Sequence, residues 1–310
     1  MRVLVTGAGG FIGRALVELA PQDVELVLLY GPADRKLSFT AGVAESEVGD
    51  ITDLSLLQKL VSHCDSVIHL AGSASVAHSF IDPPRVVSDH AVGAAVLCQA
   101  ALEAGVRRLI HVSSAEVYGR PVDNPVGEQA AMLPRSPYAA AKVGAEAVFS
   151  ATARSSDIEV VILRPFSIYG PGQRKQSLLD RIIQQAIDCK PMLLFDLSPC
   201  RDYVHVDDLA SALWASVQAP LPSSEPLILN LASGGGTTVK DLAIQVMTIV
   251  GRSKEPVVQQ GRDRGAVADI PILVGCPKAA KHYLGWSASM DLPTGLASTV
   301  NQYLKQKSDL

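Results

Sequence analysis

The sequence of 310 residues lacks long hydrophobic runs and blocks of like charge. Without a run of about eighteen apolar residues, and without a cationic leader before the first apolar segment, we expect no membrane span and no secretory signal. A net charge of −4 with no basic cluster argues against nucleic acid or a membrane surface as a partner. With 48% hydrophobic and 19% charged residues, the chain instead suits a cytoplasmic globular enzyme with a large core.

Cysteine and histidine are too scattered to form the usual covalent or metal frameworks. The five cysteines are an odd number, lie far apart and include no C-x-x-C pair, and the seven histidines show neither H-x-x-x-H nor H-E-x-x-H spacing. These patterns argue against a disulfide framework, a structural zinc site and a metal enzyme, so we predict no bound metal. We expect reduced cysteines, most of them in the core.

A glycine-rich turn joins the first strand to the first helix. Residues 2–6 are apolar and β-branched, G-A-G-G-F-I-G follows at 7–13, and apolar spacing then predicts a helix. Gly7 permits the tight turn, Gly10 lets backbone N–H groups approach a pyrophosphate, and Gly13 lets the helix pack closely on the strand. The pattern predicts a dinucleotide site, with a purely structural turn as the alternative. Its cofactor-binding positions are Gly7, Gly10, Phe11, Ile12 and Gly13.

The second strand, at 24–30, ends without the carboxylate that usually binds the ribose 2′-hydroxyl of NAD. Arg35 and Lys36 follow shortly afterwards, and cations in this place pair with the 2′-phosphate of NADP. We therefore predict NADP rather than NAD, with Arg35 and Lys36 in contact with the cofactor. There are two alternatives: Asp34 folds back onto the ribose, or the basic residues only form a solvated loop.

Strands and helices continue to alternate along the N-terminal half. Helices are predicted at 54–61 and 84–105, and apolar strands at 66–70, 108–113 and 158–164. This alternation is typical of a parallel sheet with helices on both faces and ligands beyond the carboxyl ends of the strands. We predict an α/β fold with a Rossmann-type doubly wound parallel sheet. Further cofactor-binding positions at the strand ends are Asp50 and Ile51, which would flank the adenine, and Leu70, Ala71, Gly72 and Val112.

The segment S-P-Y-A-A-A-K at 136–142 predicts the start of a helix that carries a tyrosine and a lysine. Ser136 followed by Pro137 is typical of an N-cap and a first helical position, so Tyr138 and Lys142 lie one turn apart. The nearby ammonium is expected to lower the pKa of Tyr138 from about 10 toward neutrality, so that Tyr138 exchanges a proton with a substrate oxygen. The alternative is a surface tyrosine packed on a lysine stem.

Linked motifs over nearly the whole chain support the catalytic interpretation. They are T-G-A-G-G-F-I-G (6–13), G-D-I-T-D (49–53), H-L-A-G (69–72), H-V-S-S-A-E-V-Y-G (111–119), S-P-Y-A-A-A-K (136–142), L-R-P-F-S-I-Y-G-P-G-Q (163–173), R-D-Y-V-H-V-D-D (201–208) and L-G-W (284–286). In this order they resemble the extended short-chain dehydrogenase/reductases that modify nucleotide sugars. The resemblance implies an NAD(P)-dependent enzyme that acts on a nucleotide-diphosphate sugar.

The resemblance also implies roles for single residues. Ser114 would hold the substrate oxygen, Tyr138 would move the proton, and Lys142 would tune Tyr138 and bind the nicotinamide ribose. The backbone of Pro165 would abut the nicotinamide. Arg201 would bind the substrate, and the alternative is a surface ion pair of Arg201 with Asp202 or Asp207. Ser167 stands where the family usually has Asn. The substrate-binding positions implied are Ser114, Ser167, Arg201 and Arg264.

In the less regular C-terminal part, the resemblance implies a smaller α/β substrate domain, interleaved with the first. The dinucleotide-binding domain would comprise residues 1–166 and roughly 204–233, and the substrate domain 167–203 and 234–310. Family members are often homodimers, through the helix that holds Tyr138 and the helix before the fifth strand. We therefore expect a homodimer.

The sequence leaves more than one reaction open. We predict hydride transfer at carbon 4 of a nucleotide-activated hexose, by a 4-keto-6-deoxyhexose reductase or a 4-epimerase. In the runner-up, a dehydratase, Glu116 is the base, although Ala115 stands where related 4,6-dehydratases carry an acid. Alternatively, Glu116 only orders the turn that follows Ser114. His90 stands where the family usually has Asn, and we expect it to make a structural hydrogen bond rather than to act in catalysis. A non-catalytic dinucleotide-binding regulator and a reductase of steroid or phenolic substrates are further alternatives.

Overall fold

The computed structural model describes residues 1–34, 42–173, 175, 177–221, 225–253, 256–258 and 270–308. The N-terminal half alternates strands with helices, as predicted. Its elements are β1 (Arg2–Thr6), α1 (Phe11–Glu18), β2 (Glu25–Tyr30), β3 (Val43–Val48), α2 (Leu54–Val61), β4 (Ser66–His69), α3 (Val76–Ser79), α4 (Pro83–Val87), α5 (Gly93–Ala104), β5 (Arg108–Val112), α6 (Pro137–Ser155) and β6 (Glu159–Pro165). A 3₁₀ turn, Ala115–Tyr118, follows β5.

In the rest of the described chain most strands are shorter than those of the N-terminal half. Its elements are β7 (Ser167–Tyr169), α7 (Leu178–Ile187), β8 (Leu193–Leu194), β9 (Cys200–Arg201), β10 (Tyr203–His205), α8 (Val206–Gln218), β11 (Leu227–Leu231), β12 (Thr237–Thr238), α9 (Val239–Ile249), β13 (Val257–Val258), β14 (Ile272–Leu273), α10 (Lys278–Leu284) and α11 (Leu292–Ser308). Small sheets pair β10 with β7, β9 with both β12 and β14, and β13 with β8.

Seven parallel strands form the main sheet, in the order β11-β6-β5-β4-β1-β2-β3. The direction of strand addition reverses between β1 and β4, where Thr6 pairs with His69. Ligands of doubly wound sheets bind beyond the carboxyl ends of the strands at such a reversal. The predicted α/β fold with a Rossmann-type sheet is confirmed, and Gly7 and Leu70 follow the two strands at the reversal.

Side chains of the main sheet alternate between two helical layers. Val3 and Val5 face a core that includes residues of α1 and α8, whereas Leu4 faces a core with residues of α2, α5 and α6. Successive strand residues point to opposite faces, so a continuously apolar strand needs helices on both sides. The layer with α5 and α6 carries Tyr138 and Lys142, whereas the glycine turn opens α1 in the other layer.

A third core lies between α7, α9 and α11, and includes Leu179, Ile183, Leu242 and Leu296. It is separate from the two cores of the main sheet, as a smaller second unit requires. The domain boundaries given above stay a prediction. None of the described helices has the length and apolarity that a membrane crossing requires.

Two local expectations were wrong. The helix predicted at 84–105 is interrupted, because a π-helical segment, Ser88–Val92, separates α4 from α5. Such segments are frequent at functional sites, and this one carries His90. Most cysteines were expected in the core, but only Cys64 and Cys98 are buried; the other three are partly or fully exposed.

Candidate active site

The turn after β1 forms a backbone cradle at the strand reversal. Gly7 has a φ of +72°, and a Cβ there would lie 2.8 Å from the backbone nitrogen of Ala71. A Cβ on Gly13 would collide with the carbonyl oxygen of Gly7. Helix α1 begins after Gly10 with no capping side chain and no acidic residue in its first turn, which Phe11 opens. A pyrophosphate anion fits this helix terminus, so the glycine positions suit a dinucleotide.

The carboxylate of Asp34 lies beside this cradle. Its Oδ2 accepts a hydrogen bond from the Gly31 backbone nitrogen at 3.0 Å, and a Cβ on Gly9 would lie 2.8 Å from the Cβ of Asp34. An acidic group therefore stands just beyond the end of β2, the position considered above as an alternative. The predicted cofactor contacts of Arg35 and Lys36 lie outside the described residues.

Asp50 and Ile51, which we predicted to flank the adenine, follow β3. Asp50 accepts hydrogen bonds from the backbone and hydroxyl of Thr52, at 3.0 and 2.8 Å, and from Arg85 Nη2 at 3.1 Å. The bonds from Thr52, then that from Arg85, hold the pKa of Asp50 below its usual range. Ile51 is buried against Gly93. Arg85 was not predicted, since no local pattern links it with Asp50.

The loop after β4 is held by a polar group on each side. The Thr6 hydroxyl accepts hydrogen bonds from the backbone nitrogens of Leu70 and Ala71, at 3.2 and 3.3 Å. Gly72 has a φ of +121°, and the His90 ring occupies the space that a Cβ would need. The neutral His90 donates its Nε2 hydrogen to the Ser73 carbonyl at 3.0 Å, the structural bond that we expected. These contacts hold the loop at the reversal from both sides.

Helix α6 brings the predicted catalytic residues to the carboxyl edge of the sheet. The Ser136 hydroxyl accepts a hydrogen bond from the Ala139 nitrogen, and Pro137 is the first helical residue, as predicted. Tyr138 is only 7% exposed, and its hydroxyl hydrogen-bonds to that of Ser114. Lys142, on the next turn, is 5% exposed. The fold therefore brings these three side chains into one buried region.

The predicted fall of the Tyr138 pKa is wrong for the protein alone. Burial raises the pKa of Tyr138 to about 12, the Glu116 carboxylate adds to this effect, and the hydrogen bond to Ser114 opposes it. The Lys142 ammonium is directed elsewhere, since its Nζ donates to the Val112 carbonyl at 2.7 Å. Burial lowers the pKa of Lys142 to about 8, against the attraction of Glu146. Spacing along α6 did not determine the direction of the lysine.

The residues after β5 distinguish the candidate reactions. The Ser114 hydroxyl caps the 3₁₀ turn by accepting a hydrogen bond from the Glu116 nitrogen at 3.2 Å. Ala115 is 2% exposed and packs in an apolar cluster with Val117 and Phe166. Glu116 is half-buried, and its charge acts on Tyr138. One carboxylate thus faces the tyrosine, and no acid occupies position 115.

Three buried histidines surround Lys142, a feature that the motifs did not predict. Burial and the Lys142 ammonium lower the pKa values of His69 and His90 to about 3, and that of His111 well below its usual range. The His111 ring stacks on Phe149 at 4.5 Å between centroids, and His90 meets Tyr138 edge-on at 5.4 Å. Neutral imidazoles therefore line the back of the site.

A buried ion pair lies behind the same residues. Glu146 on α6 accepts hydrogen bonds from Arg164 of β6, to Oε1 from Nε at 3.0 Å and to Oε2 from Nη2 at 2.7 Å. Both side chains are 3% exposed. Arg164 stands directly before Pro165, which we predicted beside the nicotinamide and which is buried at the end of β6. Only the three-dimensional packing identifies this pair.

The predicted substrate contacts lie on the small strands beyond this edge. Ser167 begins β7 and pairs with Tyr203 of β10, and its backbone nitrogen donates to the Asp202 carbonyl at 2.8 Å. Arg201, on β9, is half-buried and donates to the Cys200 carbonyl at 2.9 Å. Ser167 and Arg201 therefore lie on two different small sheets, β7 with β10 and β9 with β12 and β14. Arg264 lies outside the described residues.

Buried Asp202 fixes the loops around Arg201. Its carboxylate accepts hydrogen bonds from the backbone nitrogens of Ser233, Gly234 and Gly275, at 2.8, 2.9 and 3.2 Å. Burial raises the pKa of Asp202, and these hydrogen bonds oppose the shift. The Asp202 carboxylate, considered above as an ion-pair partner of Arg201, thus joins residues 233–234 to Gly275.

Comparison with known proteins agrees with this geometry. The sequence profile of the NAD dependent epimerase/dehydratase family matches residues 3–232. The UDP-glucose 4-epimerase of Mycolicibacterium smegmatis is 33% identical over 320 residues, which cover 99% of this chain and 100% of that protein. The dTDP-glucose 4,6-dehydratase of the same organism is 30% identical over 320 residues, with coverage of 99% and 95%.

Solved structures show the same similarity. The UDP-glucose 4-epimerase of Thermotoga maritima, crystallised with UDP-glucose, superimposes with a TM-score of 0.90 at 27% identity, covering 99% of this chain and 100% of that one. The resemblance inferred from the motifs is thus confirmed in both sequence and structure. This chain belongs to the NAD dependent epimerase/dehydratase family of extended short-chain dehydrogenase/reductases and is an enzyme of that type.

Proposed function

We propose that this protein is an NAD-dependent 4-epimerase of a nucleotide-activated hexose. The observation that carries the proposal is the hydrogen bond between buried Tyr138 and Ser114 beyond the carboxyl end of β5, next to a buried alanine at position 115. Epimerisation at carbon 4 needs a group that takes a proton from one hydroxyl and returns it. It needs no second acid for a departing hydroxyl.

In this proposal, Tyr138 accepts the proton of the carbon-4 hydroxyl while the hydrogen on carbon 4 leaves as a hydride, and the 4-keto sugar results. Bound NAD supplies the hydride acceptor and a positively charged ring. Tyr138 returns the proton when the hydride comes back to the opposite face of carbon 4, so no net oxidation occurs. Ser114 donates to the sugar oxygen and keeps it within reach of Tyr138.

The charges around Tyr138 decide when it can accept a proton. With its pKa at about 12, Tyr138 is protonated at neutral pH in the protein alone. A cation placed near a phenol favours the phenolate, so a bound cationic ring together with charged Lys142 would lower the pKa of Tyr138. Lys142 is held at the Val112 carbonyl, with its own pKa at about 8. The base is thus activated only with cofactor present.

We propose NAD rather than the NADP that the sequence alone favoured. The Asp34 carboxylate, held by the Gly31 nitrogen at 3.0 Å, stands where it would accept a hydrogen bond from a ribose hydroxyl and repel a 2′-phosphate. Structures of relatives were solved with NAD, among them a Streptomyces venezuelae dTDP-glucose 4,6-dehydratase and a Bacillus cereus UDP-glucuronic acid 4-epimerase. The position of Asp34 and the NAD bound in these relatives both favour NAD over NADP.

A 4,6-dehydratase is the second candidate, and Glu116 favours it. This carboxylate acts on Tyr138 and could take the carbon-5 proton, but elimination also needs an acid for the departing hydroxyl. Ala115 cannot supply that acid. The 4-keto-6-deoxyhexose reductase predicted above stays a prediction, and it would consume reduced cofactor in proportion to product.

Incubation of the purified protein with NAD and either UDP-glucose or dTDP-glucose in D₂O distinguishes the three reactions. We expect the carbon-4 epimer by NMR, with no deuterium at carbon 5 and no change in total NADH. Deuterium at carbon 5 with loss of the carbon-6 hydroxyl would identify a dehydratase. A second incubation supplies NADPH and a 4-keto sugar. Consumption of NADPH there, with no epimer from either hexose in the first incubation, would identify a reductase.

We also propose a homodimer, formed through the outer faces of α5 and α6. These faces form a shallow groove with mostly small or apolar lining: Ala95, Cys98, Leu102, Val148 and Ala151. Leu102, on α5, is an apolar side chain that is 45% exposed. Light scattering should give twice the chain mass of 32.7 kDa, and Leu102→Glu should halve it. A monomeric wild-type protein would contradict the proposal.

A further inference from the structure

One carboxylate joins α6 and the end of β5, which carry the candidate catalytic residues, to β6. Glu146 lies one turn beyond Lys142 on α6 and is 2% exposed. Its Oε1 accepts hydrogen bonds from the Ser113 hydroxyl at 2.5 Å and from Arg164 Nε at 3.0 Å. Its Oε2 accepts from Arg164 Nη2 at 2.7 Å. A single side chain therefore connects α6 with the carboxyl ends of β5 and β6.

Ser113 makes this connection relevant to the reaction. It stands between Val112, whose carbonyl holds Lys142, and Ser114, whose hydroxyl contacts Tyr138. A shift of the β5 end would therefore move the anchor of the lysine and the hydroxyl of Ser114 together. Well-oriented reacting groups lose rate steeply when they are misplaced by about 1 Å. Glu146 restrains the strand at this point.

Arg164, the partner of Glu146, makes further hydrogen bonds of its own. Arg164 Nη1 donates to the Tyr118 hydroxyl at 2.9 Å and to the Glu128 carbonyl at 3.0 Å, and the Tyr118 hydroxyl donates to Asn230 Oδ1 at 2.7 Å. Buried ion pairs are often no more stabilising than apolar residues of similar volume, whereas their hydrogen bonds have strict directions. The geometry thus suits a role in position more than one in stability.

Charge gives Glu146 a second role. The Lys142 ammonium acts electrostatically on three histidines: His69 of β4, His90 before α5 and His111 of β5. All three are held neutral by burial. Glu146 opposes the lowering of the Lys142 pKa by burial, and Arg164 is the cation paired with Glu146. Tyr138, on the preceding turn, is protonated in the protein alone.

We propose that Glu146 is a positioning residue of this active site, which fixes the β5 end through Ser113 and places a carboxylate one helical turn from the Lys142 ammonium. The inference rests on the proposed function only in that Lys142 and Tyr138 serve the reaction. The contacts of Glu146 do not depend on which sugar is bound. Glu146 acts through Ser113 and Lys142, so it is a positioning residue rather than a catalytic one.

Replacing Glu146 with glutamine removes the charge and keeps the shape. In Glu146→Gln, the titration midpoint of the Lys142 side chain should fall by about one pH unit from the wild-type value near 8. Side-chain NMR of the free protein, with the signal assigned from Lys142→Arg, measures this midpoint without turnover. The alkaline limb of kcat/KM should move by the same amount, and Glu146→Asp should restore both.

The matched control is Glu159→Gln. Glu159 pairs with buried Arg108 and joins the same two strands, β5 and β6, at their opposite ends. We expect no shift of the Lys142 midpoint in this variant. An unchanged midpoint in Glu146→Gln, or an equal shift in Glu159→Gln, would overturn the proposed charge role.

Ser113→Ala tests the positional role and remains informative if Glu146→Gln does not fold. It should lower kcat about tenfold with little change in KM and leave the Lys142 midpoint unchanged. A wild-type kcat would overturn the positional role. A midpoint that shifts as expected in a protein with no activity toward any nucleotide sugar would support Glu146 and contradict the proposed function, so the two failures are distinguishable.

Discussion

The amino and carboxyl ends of the strands in the main sheet, its amino and carboxyl edges, differ in which buried groups lack a hydrogen-bond partner among the described residues. At the amino edge these are Arg2 Nε and Ser66 Oγ, whereas at the carboxyl edge they are ring nitrogens of histidines around Lys142. At the amino edge, Arg108 binds Glu159 Oε2 at 2.8 Å and donates to the carbonyls of Ser216 and Val217 at 2.9 and 2.8 Å. At the carboxyl edge, His69 Nε2, His90 Nδ1 and both His111 nitrogens have no hydrogen-bond partner among the described residues. Unpaired buried polar atoms are rare in folded proteins and are often associated with function.

Titration behaviour follows the same division. The carboxyl edge contains a tyrosine with a pKa of about 12, a lysine at about 8 and two histidines at about 3, all shifted mainly by burial. At the amino edge burial lowers the pKa of Arg108 as well, but the hydrogen bond and charge of Glu159 oppose that shift, and two carbonyls accept from the same guanidinium. The comparison indicates that one edge mainly stabilises the fold, whereas the other holds groups in states useful to a reaction. Substitutions at the two edges should therefore affect different measurements.

The largest expected effect is at the carboxyl edge. Tyr138→Phe should lower kcat by about 10²- to 10⁴-fold, because the proposed proton acceptor is lost, with little change in NAD affinity. Steady-state kinetics and fluorescence titration with NAD measure the two quantities. Tyr169→Phe is the control, since the buried Tyr169 hydroxyl has no hydrogen-bond partner in the described chain. A wild-type rate in Tyr138→Phe would remove Tyr138 from its role.

At the amino edge, Arg108→Met should reduce the free energy of unfolding by about 3 kcal/mol and leave kcat unchanged. The loss arises because Glu159, Ser216 and Val217 lose their common donor. Urea denaturation followed by circular dichroism measures the stability. A variant with normal stability and reduced kcat would contradict the division between the two edges.

Acid stability should depend on the unpaired histidines. The pKa of buried His111 lies below the unfolded value of about 6.5, so the unfolded chain binds more protons as the pH falls below that value. Stability is therefore lost at low pH, by up to about 1.4 kcal/mol per pH unit for this group. His111→Phe, which keeps the stacking on Phe149, should be more stable than wild type at pH 5 and similar at pH 8. Thermal denaturation at both pH values checks this; a gain that is equal at both would contradict it.

The smallest effect concerns two helix N-termini at the carboxyl edge. Asp53 caps α2 by accepting a hydrogen bond from the Leu56 nitrogen at 3.1 Å, whereas α1 begins at Gly10 without a side-chain cap. Asp53→Ala should reduce stability by about 1 kcal/mol and leave NAD affinity unchanged. Denaturation and NAD titration of the same preparation measure both. A clear loss of NAD affinity would show that α2, too, serves the cofactor.

Much of the fold and some of the site could be predicted from local patterns. The glycine spacing at 7–13, the apolar strands and the Ser136 cap act over a few residues, where steric limits and periodicity are sufficient. The direction of Lys142 could not be predicted, because its hydrogen-bond acceptor, Val112, is 30 residues away. The wrong pKa expectation for Tyr138 has the same origin: spacing on one helix says nothing about burial or about what the ammonium contacts.

By itself, the sequence determined the order of strands and helices, the glycine cradle and the membership of a family whose motifs it carries in order. Each of these depends on residues close together in the chain. The tertiary structure alone decided the place of Asp34, the neutral histidines around Lys142 and the pair of Glu146 with Arg164. Burial and contacts between distant segments set these properties, because desolvation and Coulomb interactions depend on distance in space rather than on separation along the chain.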